Sequence, residues 1–109
     1  MAETFKNARK VLQTTAGTAI YTVPAATTAI VIGCQVANDG TASYDLTMYW
    51  TDSSASNAQT HLAQGIPVPD AAAYEPIGGK LVLEAGDALF GFASTADFLE
   101  ATVSVLEIS

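Results

Sequence analysis

Apolar and polar residues alternate along several short stretches of this 109-residue chain. In residues 43–51, Tyr44, Leu46, Met48 and Trp50 fall on one side of an extended backbone, and Asp45, Thr47, Tyr49 and Thr51 on the other. Near the end of the chain, Leu99, Ala101, Val103 and Val105 alternate in the same way with Glu100, Thr102 and Ser104. There the pattern slips at Val105-Leu106, which predicts a bulge or a strand buried on both faces near its end. Residues 28–37 are apolar on both sides, with Ile30, Ile32, Cys34 and Val36 on one face and Val31, Gly33 and Gln35 on the other. Such a run predicts a central strand, and Gly33 marks a bulge or a close backbone approach.

Turn residues supply the punctuation. Asn38-Asp39-Gly40 is a strong turn signal, because Asn and Gly tolerate positive φ, and it predicts an antiparallel hairpin joining 28–37 to 43–51. Further strands are expected at 10–14, at 19–23 before Pro24, at 80–84 and at 88–93. Residues 59–66 read as an edge strand ending at Pro67. Residues 52–58 form a small, polar loop, 67–76 is irregular with three of the four prolines, and Ala85-Gly86-Asp87 is a tight turn. Turns recur roughly every 8 to 12 residues, which is the spacing of a sandwich or barrel rather than of βαβ units. The expected fold is all-β: an antiparallel two-sheet β-sandwich, jelly-roll-like, with about eight strands. Residues 1–10 are expected as an N-terminal arm and 11–109 as a single β-sandwich domain.

Half of the residues are apolar and 14% are charged, the reverse of what a disordered tail needs. The longest uninterrupted apolar stretch in the central strand is far short of the ~20 residues that span a bilayer. The N-terminus carries basic residues without a following apolar segment, so no secretory signal is read and the chain is expected to begin in a cytoplasm. Net charge is −7, unevenly placed: Lys6, Arg9 and Lys10 sit in the first ten positions, and beyond them Lys80 alone opposes ten carboxylates. Such a body repels phosphate backbones, so neither nucleic acid nor membrane is expected as a partner. The basic segment is a candidate contact for an acidic partner, or a solvated terminus.

No residue set resembles catalytic machinery. His61 has no companion at metal-ligand or catalytic spacing, and a zinc site needs three or four ligands. Cys34, the single cysteine, reads as a small buried hydrophobe. Glu84 and Asp87 flank a turn and are expected to cap it. Gly78-Gly79-Lys80 lacks the rest of a phosphate-binding loop and reads as a hairpin turn. Tyr49 and Trp50, beside the 52–58 loop, suggest a sugar platform, although adjacent strand residues point opposite ways and at most one can serve a given surface. No catalytic residue, cofactor or metal is expected.

The segment Ala19-Ile-Tyr-Thr-Val-Pro-Ala-Ala-Thr-Thr-Ala-Ile-Val-Ile-Gly-Cys-Gln-Val-Ala-Asn38 resembles the opening of small tailed-bacteriophage virion proteins, cyanophage-like ones in particular. Similar too are Gly79-Lys-Leu-Val-Leu-Glu-Ala-Gly-Asp-Ala-Leu-Phe-Gly-Phe-Ala-Ser94 and Val103-Ser-Val-Leu-Glu-Ile-Ser109. The resemblance implies a non-enzymatic virion structural protein, a β-sandwich of the capsid decoration or cement type. It implies major capsid or other virion proteins as partners, a homo-oligomer with a trimer favoured, and a place in the virion after assembly in the host cytoplasm. A neck, baseplate or fibre-associated tail protein is the alternative, and a carbohydrate-binding module a more distant one. The candidate partner contacts are Lys6, Arg9, Lys10, Tyr49 and Trp50.

Overall fold

The structure, a computed structural model, describes residues 2–109. Nine strands form two antiparallel sheets: β1 (Glu3–Val11), β2 (Tyr21–Thr22), β3 (Thr28–Asn38), β4 (Tyr44–Asp52), β5 (Ala58–Val68), β6 (Ala73–Tyr74), β7 (Leu81–Leu83), β8 (Ala88–Ala93) and β9 (Leu99–Ile108). One sheet runs β1-β9-β3-β6, with β7 also on β3, and the other runs β2-β8-β4-β5. The short strands β6 and β7 pair with opposite ends of β3, so together they occupy one strand position. Each layer then holds four positions drawn from both halves of the chain, which is jelly-roll connectivity.

The layers meet over an apolar core. Leu12, Leu46, Met48, Leu83, Leu89 and Leu99 are fully buried, packed with Val31, Val36, Val103 and Val105. Alternation in β9 holds along its whole length, placing Leu99, Ala101, Val103, Val105 and Glu107 inward. The slip at Val105-Leu106 is therefore neither a bulge nor a strand end buried on both faces: Leu106 stays in register and turns its side chain to the outer face, where it is half-buried.

Other expectations change as well. Strands β3 and β4 do not form a hairpin, because they belong to different sheets. The Asn38-Asp39-Gly40 turn carries the chain from one layer to the other. The Asn38 side chain donates to the Ala42 and Val68 carbonyls at 2.8 and 2.9 Å and accepts from the Gly40 amide at 2.8 Å. Gly40 is needed for closeness: a Cβ there would lie 2.6 Å from the Tyr44 ring.

The bulge expected at Gly33 is present, since the β3–β9 register shifts between Val31 and Gly33. It also changes the face assignment. Ala29, Val31, Cys34 and Val36 point into the core, and Ile30, Ile32 and Gln35 point out. The first strand runs Glu3–Val11 rather than over 10–14, antiparallel to β9 along all nine residues. As an edge strand it has little apolar alternation to show; its ladder with β9 is what aligns it. Strand β5 is the edge expected on the other sheet, and it continues through Pro67 to Val68.

Candidate functional site

The outward side chains of the five-stranded sheet divide into two halves. Phe5, Leu106, Ile30 and Val82 stand in one row across β1, β9, β3 and β7, because Phe5 pairs with Leu106, Ile30 with Leu106, and Ile30 with Val82. Ile32 joins this row at the bulge. Phe5 is 74% exposed, Val82 58% and Ile32 43%. Three of the four large apolar side chains open to solvent among the described residues thus lie on one sheet face. Scattered exposed apolar residues need no explanation, but a contiguous row on a rigid sheet marks an interaction surface.

The other half of the face is polar, with Asn7 and Ser104, then Arg9, Thr102 and Gln35, then Glu100. Between the halves a groove of about 270 Å³ is lined by Phe5, Lys6, Asn7, Ile32, Ser104 and Val105.

The expected contact residues do not gather in one place. Arg9 is exposed on the outer face. Lys6 and Lys10 point the other way. The Lys6 ammonium is 3.2 Å from a Glu107 carboxylate oxygen, and Lys10 donates to the Ala16 carbonyl at 2.7 Å and to that of Thr18. Tyr49 lies on the outer face of the four-stranded sheet, 9% exposed, its ring stacked on Phe90 and tilted against His61. Little of that ring is open to receive a sugar. Trp50 points inward and packs, half-buried, against the core.

Titratable groups have evident structural uses. Asp87 is buried, and its carboxylate accepts from the Ser53 and Glu84 amides, both at 2.9 Å, and from the Ser53 hydroxyl at 3.1 Å. Of the two acids expected to cap this turn, Asp87 does so, and Glu84 takes part through its backbone amide; the Asp87 carboxylate also ties the β4–β5 loop to the β7–β8 turn. Burial, with a further push from the Glu75 carboxylate, raises the Cys34 thiol to about 11. Among the described residues no three His, Cys, Asp or Glu side chains converge where a metal ion would sit.

Sequence reasoning did not assign the outer row of Phe5, Ile30, Ile32, Val82 and Leu106. Its signals were present in the two-sided apolar pattern of residues 28–37 and in the slip at Val105-Leu106.

No protein-family model and no curated protein sequence matches the chain. Solved structures share its fold. A chain of the acidic-stable capsid of Helicobacter pylori bacteriophage KHP30 is similar with a TM-score of 0.57 at 10% identity, over 99% of this chain and 98% of that one. A chain of the Bacillus endospore appendages, disulfide-linked pili, is similar with a TM-score of 0.56 at 13% identity, over 97% of this chain and 84% of the other. At these identities the likeness is one of fold.

Proposed function

We propose that this chain is a non-enzymatic structural subunit of a bacteriophage virion, a decoration or cement protein that binds the capsid shell and stabilises it. The observation that carries this reading is the contiguous apolar row on the outer face of the five-stranded sheet, presented by strands whose other face is locked into the core. A surface of that kind suits lasting burial against protein rather than passing contact with a small ligand. The two similar folds named above both come from large protein assemblies, in agreement with a subunit role. Arg9, an expected contact residue without an ion pair among the described residues, lies exposed on the same face.

Two measurements test this. Quantitative mass spectrometry of purified particles should find the chain in hundreds of copies; a few or a dozen would place it at the neck or tail. Particles lacking the chain should lose their genome at lower temperature than complete ones. Equal thermal stability of the two would count against a cementing role.

A further inference from the structure

We propose that the outer face of the five-stranded sheet docks a second copy of this chain, the two faces packing across a two-fold axis with Phe5 of each seated in the groove of the other. The inference rests on the subunit reading above and names one of the contacts such an assembly would use.

The face is complementary to itself in shape. Phe5, 74% exposed, stands directly beside the groove that Asn7, Ser104 and Ile32 help to line. The groove, about 270 Å³ and open to solvent, is the concave feature beside it into which a side chain of a second copy would lie. A knob and a hole on one surface are what a two-fold contact requires, because each copy offers the same patch to the other.

It is also complementary in charge. The outward residues of β1 are Glu3, Phe5, Asn7 and Arg9 in order. Laid antiparallel over its own copy about Lys6, this strip sets Phe5 over Asn7 and Glu3 over Arg9, twice by symmetry. Neither Glu3 nor Arg9 has an ion-pair partner among the described residues. The strip is neutral in a chain of net charge −7, so along it two acidic copies approach without net repulsion.

The area suffices. Four strand positions at ~4.8 Å spacing and ten residues at ~3.3 Å rise give about 600 Å² in projection, near the ~800 Å² per partner of a standard interface. A three-fold ring is heterologous and would use other surfaces.

Sedimentation equilibrium over a wide concentration range tests the contact, on the wild type, Phe5→Asp, Glu3→Arg, Arg9→Glu and the double reversal E3R/R9E, with circular dichroism to confirm folding. The wild type should sediment as two chains and Phe5→Asp as one. Each single reversal should weaken association about tenfold, and the double reversal should restore it. A wild type of one chain at every concentration, a Phe5→Asp variant that still pairs, or a double reversal no tighter than the singles would overturn the proposal. A chain abundant in particles but monomeric in solution would remove this contact and leave the virion reading standing. A pair broken by Phe5→Asp in a chain missing from particles would do the opposite.

Discussion

The Tyr21 hydroxyl donates to the Glu107 carboxylate at 2.5 Å, joining β2 of one sheet to β9 of the other at one end of the sandwich. Glu107 occupies an inward position of β9 and is buried, with Lys6 supplying a cation on its second oxygen. A buried carboxylate is tolerable only when its oxygens are paired, and here both are. The hydrogen bond from Tyr21 holds the Glu107 carboxyl below the usual carboxylate range; burial pushes the other way, and Lys6 adds to the lowering. Burial first, then the hydrogen bond and charge of Glu107, raise the Tyr21 phenol above its ordinary value.

These shifts set a pH dependence of opposite sign at the two ends. A carboxyl whose folded pKa is depressed contributes stability above its unfolded value, and that contribution is lost as the pH falls through the folded value. A phenol whose folded pKa is raised contributes stability below its unfolded value, lost as the pH rises beyond it. Urea midpoints should therefore be level from about pH 5 to 9, falling on either side. Glu107→Gln should flatten the acid limb, and Tyr21→Phe should shrink both limbs. Unchanged limbs in both variants would show that this inter-sheet bond does not govern the profile.

Asp87 offers a second test of buried polar pairing. Asp87→Ala leaves the Ser53 and Glu84 amides without their acceptor, which should cost about 2 kcal/mol in urea unfolding. Hydrogen exchange at those two amides should quicken together, since one carboxylate holds both.

Depth in the core separates two large side chains on β4. Leu46 is fully buried between the sheets, so Leu46→Ala should cost about 3 kcal/mol. Trp50 is only half-buried, and Trp50→Ala should cost less, about 2 kcal/mol, despite removing more atoms. Chemical denaturation of the two variants side by side gives the order.

Cys34 should be inert in the folded protein. Its thiol is buried against Met48, with the sulfurs 3.8 Å apart, and is raised to about 11. A thiol-reactive dye at pH 8 should label it only on unfolding, at a rate set by urea concentration.

What could be read in advance depended on whether a residue's partner was periodic. Alternation in 43–51 and 99–105 exposed two core strands, because each has one face buried and one open. Strand β1 was hidden: an edge strand with Lys6 and Lys10 on its inner side and Phe5 on its outer side inverts the usual pattern. Sheet membership was hidden as well, since Asn38-Asp39-Gly40 has the composition of a hairpin turn, and only the distant carbonyl of Val68 shows why it crosses between layers. At Gly33 the bulge was legible but its consequence was not, because one inserted residue exchanges the faces of everything on one side of it. The outer row followed the same logic. Leu106 and Ile30 read as apolar on a second face, and periodicity alone does not distinguish a second buried face from an exposed one.

Electron cryomicroscopy of purified particles is the most direct test of the central claim that the outer face of the five-stranded sheet is an assembly surface. Density for this sandwich should be found in the particle with Phe5, Ile32 and Val82 covered by protein. A particle without it, or one in which that face stands bare to solvent, would contradict the account.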